Sequence, residues 1–169
     1  DAATAALNTM RAAWATHQAT GTVPPLLETQ MSQALDALAG NPLVPAVDAG
    51  NGEGAREAAL DVGQAAMDLQ LQYRPVAEVD RARFELWNKQ LLVDSGSVEA
   101  DAGHIAGDVA ALTRVWDRIA HTVDPSSARA INAELGRLRK AAKHENAAKA
   151  ADGAKRLHDA LGELPHTLS

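Results

Sequence analysis

Residues 98–122 read VEADAGHIAGDVAALTRVWDRIAHT, and the spacing of their apolar side chains decides the fold. Val98, Ile105, Leu112 and Ile119 recur every seven residues, with Val109, Trp116 and Val123 beside them. That period places one apolar stripe along an α-helix, whereas a strand alternates its faces every second residue. A helix is therefore expected from Val98 to Thr122, with the stripe buried against neighbouring helices.

The flanking chain has the same character. A first helix is expected from about Ala2 to Ala19, with Leu7, Met10, Trp14 and His17 on one stripe. GTVPP breaks it: Gly21 suits a helix end, and Pro24 and Pro25 suit the start of the next. The second helix carries Leu27, Met31, Leu35 and Leu38. The prolines and glycines of PLVPAVDAGNGEG, residues 42–54, predict a loop. A long third segment, Ala55 to Val93, presents Leu60, Met67 and Leu71, then Phe84, Trp87 and Leu91. Pro75 must kink or divide it, because proline removes a helix hydrogen bond and clashes with the preceding turn. A last helix is expected from about Ser127 to Leu161. Its alanine-rich middle, AAKHENAAKAADGAK, holds few large apolar groups and is expected to pack lightly. Short connections between long amphipathic helices make neighbours antiparallel. The expected fold is one all-α domain spanning residues 1–169, an up-and-down antiparallel bundle of four principal helices.

Within the opening stretch, Asp101, His104 and Asp108 lie at i, i+3 and i+7. If Ile105 and Leu112 hold heptad position a, Asp101 and Asp108 fall at d, where an apolar residue belongs. Carboxylates turned towards a core are costly unless paired, hydrogen-bonded or bound to a cation. Carboxylate and imidazole ligands suit a divalent transition metal, and Asp80 and Asp94 on the preceding segment are the expected partners for Asp101 and Asp108. The structural alternative has the same residues exposed at a frayed helix start, since Gly103 and Gly107 each weaken a helix by about 1 kcal/mol. His17, His121 and His158 lie near apolar stripes and read as hydrogen-bonded residues at the core edge. A haem is not expected: CxxCH is absent, and one Phe, one Tyr and three Trp make a poor pocket. The three tryptophans Trp14, Trp87 and Trp116 read as core, with a small apolar ligand between them a weaker alternative.

Composition narrows the function. The chain has 169 residues, 46% apolar but only 3% aromatic, which favours closely approaching helices rich in alanine and leucine. The absence of cysteine excludes thiol chemistry and thiolate metal sites. A formal charge of −6 argues against nucleic acid as a main partner. One basic run stands out, with Arg137, Arg139, Lys140, Lys143, Lys149 and Lys155 against Glu145 and Asp152. It reads as a solvated helix face, or as a surface for an acidic partner. No apolar run approaches the length of a transmembrane helix. Phosphate loops, dinucleotide fingerprints, nucleophile elbows and His-Glu-x-x-His motifs are all missing, so an enzyme is not expected. In composition the chain resembles the exported helical bundles of bacterial metal-uptake and sensing systems, but it lacks the His-x-x-Glu motif of the imelysin-like iron proteins. With Asp1 read as a processed terminus, that resemblance implies a periplasmic or secreted protein. The expected function is a non-enzymatic binding or sensor bundle with a metal ion as leading ligand; the alternative is a protein–protein interaction module.

Overall fold

The computed structural model describes residues 2–40, 51–97 and 100–164. Its regular structure is helical, with no strand among the described residues. The elements are α1 (Ala2–Thr20), α2 (Pro25–Gly40), α3 (Asn51–Gln70), α4 (Val76–Gly96), α5 (Ala102–Ile119), a 3₁₀ turn (Ala120–Thr122), α6 (Pro125–Lys143) and α7 (Ala147–Gly162). The described residues form seven α-helices from the five helical segments read in the sequence, because two long segments are divided. At Pro75 the third segment breaks outright, and the proline becomes the residue that precedes α4. The second break, at residues 144–146, was not anticipated. There the His144 N–H bonds back to Lys140 and Ala141 carbonyls, Glu145 takes a left-handed φ of 51°, and the Asn146 side chain accepts from Lys149 N. Left-handed backbone disfavours a residue with a Cβ; hydrogen-bonded caps on both sides hold it.

The chain forms two compact units, residues 1–72 and 73–169. In the first, α2 packs closely on α3 and α1 lies more lightly against α2. Leu7, Met31, Ala34, Leu35, Leu38, Ala58, Val62, Ala65 and Leu69 make its core. The buried face of α3 is therefore Ala58–Val62–Ala65–Leu69, and not the Leu60–Met67–Leu71 stripe read from side-chain size. Two alanines let the α2 and α3 backbones approach, and Leu71 remains 39% exposed. The expected loop at 42–54 falls largely outside the described residues, and its end, 51–54, belongs to the first turn of α3.

In the second unit each helix packs against two neighbours: α4 against α5 and α7, and α6 against α5 and α7. Phe84, Leu91, Ile105, Val109, Leu112, Trp116, Ile119, Ile131, Leu135, Leu138, Leu157 and Leu161 fill the centre. Ile105, Leu112 and Ile119 occupy the core as their seven-residue period requires; Val98 lies outside the described residues. The alanine-rich stretch departs from expectation, because Ala141, Ala150, Gly153 and Ala154 are all buried. Their small size permits close contact with α6 instead of weakening it. A Cβ added to Gly153 would lie 2.6 Å from Leu138 Cδ2. Trp116 is 1% exposed, stacks on Phe84 at 5.6 Å between centroids and donates from Nε1 to Asn132 Oδ1. In the first unit, Trp14 donates to Ser32 Oγ.

Candidate functional site

The first residues to place are the five expected to hold a metal. Helix α5 starts later than its heptad suggested, and this changes the role of Asp101. Asp101 is the N-cap, its Oδ1 accepting from His104 N at 2.8 Å, and that bond lowers its pKa. His104 is exposed in the first turn. The heptad argument fails for Asp101 because the residue precedes the helix whose face it was assigned to. It holds for Asp108, which is 4% exposed.

Asp80 and Asp94 are likewise buried, but they serve different partners. Asp80 receives two bonds from Arg118, Nε to Oδ2 at 2.7 Å and Nη2 to Oδ1 at 2.8 Å, and Arg83 stands 3.9 Å away. Asp94 meets Asp108 across the α4–α5 seam and accepts from Gln90 Nε2 at 3.0 Å. Asp108 Oδ2 is buried and has no hydrogen-bond partner. The two carboxyls face each other in a buried seam, an arrangement that disfavours the charged form of Asp108. Burial, reinforced by the facing Asp94, pushes the Asp108 pKa up to about 8. Asp80 and Asp94 are fourteen residues apart on one helix, about 21 Å along its axis. The expected five therefore separate into an N-cap with an exposed histidine, an arginine-bound acid and an acid pair. No cluster of three or more metal-ligating side chains occurs among the described residues. The other histidines do not supply the missing ligands: His121, His144 and His158 are exposed, and His17 is half-buried beside Trp14.

A second constellation lies at the α6–α7 corner. Arg137 and Lys140 share one face of α6, continued by its C-cap His144; Lys149, Asp152 and Arg156 share one face of α7. The break at residues 144–146 turns the chain so that these faces line one concavity of about 500 Å³, floored by Ala141 and Asn146. Beneath it, Glu134 is 8% exposed and accepts from both Arg137 and Arg156, the latter from Nε at 3.0 Å. One buried acid thus anchors two guanidiniums and leaves their remaining N–H groups for other acceptors. The sequence had marked the basic run, but Arg156 was missed because its position depends on the turn at Glu145.

Charge is distributed unevenly between the units. Residues 1–72 hold eight Asp or Glu and two Arg, which accounts for the whole formal charge of −6; residues 73–169 hold fourteen of each sign. No described helix is long and apolar enough to cross a membrane. Compared with protein-family models, curated proteins and solved structures, the chain matches none.

Proposed function

We propose that this chain is a non-enzymatic interaction module whose residues 73–169 form an up-and-down four-helix bundle and bind an acidic segment of a protein partner in the α6–α7 concavity. Support for the antiparallel order comes from cross-contacts that pair the start of α4 with the ends of its neighbours: Asp80 with Arg118 of α5, and Arg81 with the Leu164 carbonyl just beyond α7. The observation that carries the function is the convergence of Arg137, Lys140, His144, Lys149 and Arg156 on one hollow against the single acid Asp152. Its volume suits several side chains of an extended acidic peptide. A nucleic acid would meet the same cations, but the formal charge of −6 disfavours it.

The test is titration of a fluorescent hexaglutamate peptide at low salt. Saturable binding that is lost in Lys140→Glu/Lys149→Glu supports the reading. No binding, or equally tight binding of single-stranded DNA, rejects it.

A bound cation is the competing reading, favoured by the meeting of Asp94 with Asp108. Two carboxylates fall short of the three or four protein ligands usual for a resident zinc. A thermal shift with zinc, copper, iron or manganese that disappears in Asp108→Ala would favour it.

A further inference from the structure

Helix α3 carries an acidic stripe that neither core nor cap uses. Glu57, Asp61 and Asp68 are spaced i, i+4 and i+11, within about 40° of one another around the helix and spread over about 16 Å of its length. Glu57 and Asp61 are exposed; Asp68 accepts from Gln30 Nε2 at 3.2 Å at the edge of the α2–α3 pair. Glu28 and Asp36 on α2 add further exposed carboxylates. The only cations of residues 1–72 are Arg11, spent on Asp36 at 3.5 Å, and Arg56. This surface has the sign, and roughly the length, that the α6–α7 concavity would accept. The concavity's cationic faces, Arg137 to His144 and Lys149 to Arg156, each run about 10 Å.

We infer that the acidic partner of the α6–α7 concavity is a second copy of this chain, which presents the Glu57–Asp61–Asp68 face of its α3. The inference rests on the function proposed above and names the partner. It joins two different patches, so the contact is heterologous, closing as a dimer if two such contacts form together and growing as a chain if they do not. Exposed charge pairs are individually weak and screened by salt, so association is reversible and confined to low ionic strength.

The deciding experiment is sedimentation equilibrium of the full chain over a range of protein concentrations. At low salt, the weight-average mass is expected to rise towards or beyond twice the 17.7 kDa of one chain. At about 1 M salt, where the screening length is about 3 Å, it should return to one chain. Lys140→Glu/Lys149→Glu and Glu57→Lys/Asp61→Lys should each be monomeric with unchanged circular dichroism, and mixing the two should restore association, because the native acidic face of the first meets the native concavity of the second. A monomer under all conditions, or no recovery on mixing, overturns the inference. Hexaglutamate binding by a chain that stays monomeric would leave the proposed function standing and remove only the second copy as partner. Absence of both would remove the function as well.

Discussion

The carboxyl of Asp108 lies against that of Asp94 across the α4–α5 seam, both at least 95% buried. Asp108 therefore binds its proton more tightly in the folded chain than in the unfolded one, where an aspartate titrates near 3.9. From about pH 4 to pH 8 the native state holds the extra proton, so its stabilising effect is fully present below pH 4 and is lost as pH rises through about 8. Unfolding free energies from urea titration should fall across that window by up to about 1.4 kcal/mol per pH unit relative to Asp108→Asn, which has no proton to lose. The variant should be the more stable chain at pH 9. Parallel pH profiles for the two would show that the fold does not hold Asp108 protonated.

This pair also marks how far the sequence was legible. A heptad position flagged Asp108 as a buried acid, and a short connection suggested Asp80 and Asp94 together as partners for Asp101 and Asp108, because both judgements depend only on helix period and chain proximity. Asp101 was misplaced because the period says which face a residue occupies, not where the helix begins; an aspartate three residues before a backbone N–H caps as readily as it ligates. The buried face of α3 was misread because packing there is decided by how near two backbones come, which favours Ala58 and Ala65 over Leu60 and Met67. The α6–α7 corner escaped notice for a related reason. No glycine or proline announces the break at Glu145, and without it Arg137 and Arg156 do not face one hollow.

The bidentate contact of Arg118 with Asp80 closes α4 against the end of α5. Asp80 is 2% exposed, whereas the Arg118 side chain is 44% exposed, so the acid bears the desolvation and the base keeps water. Arg118→Ala should destabilise by about 2–3 kcal/mol, below the full cost of breaking a buried pair, since Arg83 remains nearby. Asp80→Asn/Arg118→Ala should recover part of that loss in a double-mutant cycle. If the losses of Arg118→Ala and Asp80→Asn simply add in the double variant, the contact contributes nothing specific.

Two glycines in helices offer opposite outcomes. Gly107 in α5 has open space where a Cβ would go, so Gly107→Ala should stabilise by about 0.5–1 kcal/mol through helix propensity alone. Gly153 in α7 faces Leu138, which is wholly buried and cannot swing aside. Gly153→Ala gains the same propensity but must displace Leu138, a strain of about 1–3 kcal/mol, so a net loss is expected. Thermal melts of the two variants should shift in opposite directions; a stabilised Gly153→Ala would mean that α6 and α7 pack less closely than described.

Glu134 separates stability from binding. It is buried beneath Arg137 and Arg156 and holds both guanidiniums at the rim of the concavity. Glu134→Gln keeps the shape and can still accept from one arginine, but it removes the negative charge that offsets the pair. Stability should fall by about 1–2 kcal/mol, as charge-assisted hydrogen bonds become neutral ones. Affinity for the hexaglutamate probe should rise several-fold in the same variant, because the hollow gains one unit of net positive charge at close range. A purely structural Glu134 would give the first effect without the second. A concavity that binds anions requires both, in opposite directions, from a single substitution that leaves every lining residue in place.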